Sequence, residues 1–96
     1  MIFMSRSDYI FFGCLGQKYR EKAEEFERKR LFECSAENYK VAGECFEKAE
    51  EIAKSDLMQE HGASALKKSY CQRKSKEMKV KSIEQESSAS FRHSGK

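Results

Sequence analysis

The sequence predicts an all-α protein, and three observations carry that reading. Its 96 residues include no proline, so nothing removes an amide donor or clashes with a preceding turn. Strong helix formers (Lys, Glu, Arg and Ala) run from Gln17 to Gly62 without a breaker. Within that run the apolar and aromatic residues recur at spacings of three and four, the period of one helix face.

Taken in order, residues 1–16 form an apolar N-terminal segment. Tyr9, Ile10, Phe11 and Phe12 give it an aromatic end, and Gly13 and Gly16 punctuate it. Arg6 and Asp8 interrupt the apolar run and no basic region precedes it, so it does not read as a signal peptide. It is also too short to span a bilayer.

Residues 17–62 carry two stripes. The first is Tyr19, Ala23 and Phe26, which meets Arg30 where an apolar residue is due. The second is Phe32, Ala36, Tyr39, Gly43, Phe46, Ala53 and Leu57, with Ala42 and Ala49 beside it. The phase shift between them predicts a helical hairpin with a turn near Cys34–Asn38, where Ser35 or Asn38 would cap the second helix. The alternative is one long bent helix. His61–Gly62 reads as a stop, because glycine readily takes the left-handed closing conformation. Residues 63–83 predict a weaker, basic helix with Leu66, Tyr70 and Val80 as its apolar points and Met78 to one side. Residues 84–96 are polar and serine-rich, the composition of a disordered tail.

The charge is uneven. Gln17–Gly62 holds nine Lys/Arg against twelve Asp/Glu, whereas Ala63–Lys96 holds nine against three. Of the basic residues, Lys67, Lys68, Arg73, Lys74, Lys76, Lys79 and Lys81 crowd together with only Glu77 opposing. On a helix they would form a diffuse positive rod suited to phosphate attraction without base reading. A solvated, flexible end is the plainer reading of the same residues.

Catalytic chemistry finds little support. His61 and His93 are the only histidines, and neither sits in a nucleophile, acid–base or metal motif. A Cys34–His61 thiol–imidazole pair is conceivable only if the fold brings them together. Cys14, Cys34, Cys45 and Cys71 fit no zinc spacing, and reduced thiols in a cytoplasmic or nuclear chain are the expectation. No G-x-x-x-x-G-K-[ST] phosphate loop occurs. No catalytic residue, cofactor or metal site is predicted. The glutamates read as a solvated helix face, with Glu24–Arg28 and Glu44–Lys48 as favourable pairs.

Asn38–Ile52 reads Asn-Tyr-Lys-Val-Ala-Gly-Glu-Cys-Phe-Glu-Lys-Ala-Glu-Glu-Ile. This resembles the second helix of a tetratricopeptide repeat, with Tyr39, Ala42, Phe46 and Ala49 at the matching aromatic–alanine–aromatic–alanine positions. Phe26 would take the large-residue position of the first helix. Arg30, Glu33 and Lys54 depart from the pattern, the last replacing the proline that ends a repeat. The wording is also similar to degenerate repeats of plant and animal proteins that join a UvrD-like helicase to tetratricopeptide repeats. The resemblance covers about residues 23–54. It implies a non-catalytic protein–protein interaction segment, a piece of a larger repeat protein, whose core or partner face is Phe26, Tyr39, Ala42, Phe46 and Ala49. A single repeat buries little on its own, so a protein partner or self-association is expected. The alternative is non-specific nucleic-acid contact through the basic 67–81 stretch. No membrane partner is expected.

Overall fold

A computed structural model describes the backbone of residues 6–55 and 61–94, and the side chains of residues 7–54 and 62–86. All of it is helix apart from one tight connection. Helix α1 spans Arg6–Arg28, α2 spans Phe32–Ser55 and α3 spans His61–Ser94. The hairpin therefore holds over the single long helix. α2 lies in the middle, packed along its length on α1 to one side and α3 to the other. The radius of gyration is 16.8 Å, above the roughly 12 Å of a spherical domain of this length. The molecule is a rod of 62 × 22 × 16 Å.

The phase shift in the stripes comes from a turn at Lys29–Leu31, earlier than the Cys34–Asn38 stretch that the sequence suggested. Arg30 takes a left-handed backbone with φ of 63°. The Leu31 amide donates to the Phe26 carbonyl at 2.9 Å, and the Arg30 amide donates to that of Glu27 at 3.0 Å. That pair of bonds is a Schellman closure, with Arg30 where glycine is usual. Sequence signals missed it because an arginine carries no turn signature. Ser35 and Asn38 then sit inside α2 rather than capping it. The Asn38 amide donates back to the Cys34 carbonyl at 2.8 Å.

The N-terminal segment is the first part of α1, glycines included. A Cβ on Gly16 would come within 3.0 Å of the Phe46 ring, so this glycine is what lets the two helices approach. Gly62 does not close a helix: it lies in the first turn of α3, and no described glycine has positive φ. Past residue 83 the α3 backbone stays helical to Ser94, through the stretch read as a tail, since Glu84, Gln85 and Glu86 are good helix formers. Gln85 reaches the Arg30 carbonyl at 3.4 Å, which places residue 85 level with the α1–α2 turn.

α3 is also not the weak helix its apolar residues suggested. Its buried face is Ser64, Cys71, Ser75 and Met78, at spacings of seven, four and three. Leu66 and Val80 point to solvent instead. Small residues allow close packing here. Cys71 Cβ would lie 3.5 Å from a Cβ on Gly43, and the Ser75 hydroxyl donates to the Ala36 carbonyl at 3.0 Å. One residue earlier in α2, the Ser35 hydroxyl donates to the Ala23 carbonyl of α1 at 2.7 Å. The central helix is thus tied to both neighbours at one level.

Candidate interaction site

Tyr39, Ala42, Phe46 and Ala49 are all buried, on the side of α2 that faces its neighbours. Tyr39, Ala42 and Phe46 form a core with Ala23, Ala36, Cys71 and Met78, with Tyr19, Phe32 and Tyr70 packed at its edge. Phe26 is half-buried on α1. The five residues picked out as a core or partner face are therefore mainly core.

At the edge of this core, one part-buried polar network joins all three helices. The Tyr39 hydroxyl donates to Glu27 Oε1 at 2.9 Å. Lys74 Nζ donates to Glu27 Oε2 at 3.1 Å and to Glu77 at 2.8 Å, and lies over the Tyr39 ring. Burial, then the hydrogen bond to Glu27, pushes the Tyr39 phenol well above its ordinary range, so it remains a donor. Beside it, Tyr70 meets Tyr39 edge-on at 6.3 Å, and the Arg20 guanidinium lies 4.8 Å from the Tyr70 ring centre.

The basic stretch divides into two sets. Lys68 pairs with the buried Glu50 carboxylate at 2.7 Å, and its ammonium is held above the ordinary lysine range chiefly by that bond. Lys74 is committed to Glu27 and Glu77, and Lys81 is half-buried over the Phe32 ring. Lys67, Arg73, Lys76 and Lys79 are exposed. Lys68, Lys74 and Lys81 thus serve in packing α3 rather than in an open rod, and Lys67 and Arg73, though exposed, lie over the Phe46 and Tyr70 rings. Among the acidic pairs, Glu24 meets Arg20 and Lys48 meets Glu51, in place of the expected Glu24–Arg28 and Glu44–Lys48. The side chains of His61 and His93, and so the Cys34–His61 pairing, lie outside the described residues, as does Leu57.

The open surface is on the side of the α1–α2 pair away from α3. Phe12, Val41 and Cys45 floor a shallow groove of about 440 Å³, rimmed by Glu44, Glu47, Lys48 and Glu51. Phe12, Leu15, Tyr19 and Phe26 run along α1 as a half-buried stripe at spacings of three, four and seven, and Ile10 and Phe11 are exposed near its start. Of these, the sequence reading singled out only Phe26 as a site residue. The signal available was the regular three-four spacing that begins at Phe12, before the two glycines that seemed to end the segment.

Among the described residues, no cluster of His, Cys, Asp and Glu could hold a metal ion, and no helix is long and apolar enough to cross a membrane. No protein-family model, curated protein or solved structure matches the chain.

Proposed function

We propose that this chain is a non-catalytic protein–protein interaction segment built on a tetratricopeptide-like helix pair, and that it works beside further repeats or a partner helix. The observation that carries the reading is Gly16 beneath the Phe46 ring. Phe12-x-x-Leu15-Gly16-x-x-Tyr19 follows the spacing of the first helix of such a repeat, with phenylalanine for tryptophan, and Ala42-x-x-x-Phe46 follows that of the second. The match to the first helix therefore begins ahead of Ala23. The two helices, of 23 and 24 residues, exceed what a 34-residue repeat holds, by about two turns each. Whole turns leave the facing residues in register. An apolar groove on the outer side of the pair supports the same reading, since a repeat buries that face against its neighbour.

The rival is a helicase-associated, non-specific nucleic-acid contact, and it rests on Lys67, Arg73, Lys76 and Lys79. Fluorescence anisotropy separates the two, using a labelled basic amphipathic helical peptide and a labelled mixed-sequence single-stranded oligonucleotide at two salt concentrations. The interaction reading expects the peptide to bind and Val41→Glu to abolish that binding. It is overturned if only the oligonucleotide binds, with an affinity that collapses as salt rises and is lost when those four cations become glutamine.

A further inference from the structure

Two surfaces of this chain carry apolar side chains that the described structure leaves at least partly open, and their charges are opposite. The first is the α1–α2 groove, with Phe12, Val41 and Cys45 on its floor. Its rim holds Glu44, Glu47 and Glu51 against a single cation, Lys48, which is itself 4.0 Å from Glu51.

The second is the outer face of α3. Ser64, Cys71, Ser75 and Met78 fix the inward side of that helix. Helical geometry then sets Leu66, Arg73 and Val80, each seven residues apart, on the opposite side, with Lys76 next to them, whereas Ile83 turns towards α2 beside Glu33 and Glu37. Leu66 is 75% exposed and Val80 54%. Arg73 and Lys76 are exposed as well, the Arg73 guanidinium lying 5.8 Å from the Tyr70 ring centre. Glu77, the only carboxylate between Leu66 and Ile83, is turned to Lys74 at 2.8 Å. This face is therefore apolar and basic where the groove is apolar and acidic. Leu66 to Val80 extends about 21 Å along the helix axis and Val41 to Glu51 about 15 Å, so the helix is long enough to fill the groove.

The geometry points to head-to-tail self-association, in which the outer face of α3 in one copy lies in the α1–α2 groove of a second copy. The inference rests on the proposal that the helix pair is a docking unit, and it names the occupant. The chain itself carries the complement of its own groove in both charge and apolarity. The two surfaces lie on different sides of the molecule, so each copy keeps one groove and one α3 face free. Such a contact is heterologous and grows into open chains rather than closing as a two-fold dimer. Opposed charges set the register, and like charges in the same place would block the contact.

Sedimentation velocity of the full chain over a wide range of concentration tests this. The wild type assembles beyond a dimer. E44K/E51K makes the groove basic and R73E/K76E makes the α3 face acidic. All four residues are exposed, so both variants keep the wild-type helical circular dichroism. Each variant alone associates on the order of a hundredfold more weakly, because each now opposes like charges. Mixing the two restores assembly, since each supplies the complement of the other. The inference is overturned by a wild type that stays monomeric, by assembly that survives in both variants, or by a mixture that fails to reassemble. A monomeric wild type whose groove still binds the basic helical peptide would sink only the self-contact. Loss of both would sink the docking proposal too.

Discussion

The two interfaces of α2 hold their helices together in different ways. Towards α1 the contact centres on one aromatic ring, Phe46, seated over Gly16. Towards α3 it is spread over small residues, Gly43 against Cys71 and Ala36 against Ser75, with the Tyr39–Tyr70 edge contact and the Lys68–Glu50 pair beside them. An aromatic over a glycine concentrates burial in one side chain. A seam of small residues divides it among backbone approach, hydrogen bonds and charge. The first should therefore be fragile at one position, and the second should yield in smaller steps.

The largest effect is expected at Phe46. Phe46→Ala removes the ring from a buried site and should cost about 3–5 kcal/mol, a large share of the stability of so small a domain. Urea denaturation should show it as a partly or wholly unfolded chain. Met78→Ala, at the largest fully buried side chain of α3, should cost less, about 2–3 kcal/mol. If Met78→Ala proved the more damaging, the contrast between the interfaces would be wrong.

The two glycines sharpen the contrast. A Cβ on Gly43 would make ordinary contact at 3.5 Å, so Gly43→Ala should gain about 0.5–1 kcal/mol of helix propensity. A Cβ on Gly16 would press on the Phe46 ring at 3.0 Å. Gly16→Ala should forfeit that gain, and Gly16→Val should cost about 1–3 kcal/mol through overpacking. Parallel thermal melts of the three variants measure the difference.

Alkaline pH tests the α3 seam. Burial pushes the Cys71 thiol up to about 11 from an ordinary 9. The folded state keeps the proton after the unfolded state has begun to lose it. The contribution from Cys71 is thus fully present below pH 9 and is lost between about pH 9 and 11. Stability measured across that window should decline, and Cys71→Ala should flatten the early part of the decline. The thiols also give a direct readout. Cys14 and Cys34 are exposed and should react quickly with a thiol reagent, whereas the buried Cys45 and Cys71 should react slowly.

The smallest expected effect is at the turn. Arg30 occupies a left-handed backbone that costs a non-glycine residue about 1 kcal/mol. Arg30→Gly should recover part of that, about 0.5 kcal/mol, because glycine also loses more entropy on folding.

These residues explain what the sequence made legible. The all-helical class and the buried side of α2 were readable, because Tyr39, Ala42, Phe46 and Ala49 repeat at helical spacing and are large or small in the right places. The turn was not, because the residue that closes α1 is an arginine in a role usually filled by glycine. The packing of α3 was hidden for a different reason. Its buried face is mainly serine and cysteine, whose contribution comes from close approach and from hydrogen bonds to the Ala36 carbonyl and its like, and hydropathy does not register either. Its apolar Leu66 and Val80 pointed the wrong way. The groove escaped notice because Gly13 and Gly16 read as punctuation, while in the fold Gly16 is a contact surface.

The central claim is that the outer side of the α1–α2 pair receives another helix. The most direct measurement is anisotropy of the labelled basic amphipathic peptide against the wild type and Val41→Glu, with helical content checked by circular dichroism. The account predicts saturable binding to the wild type that Val41→Glu abolishes without unfolding the chain. Equal binding by both proteins, or none by the folded wild type, would contradict it.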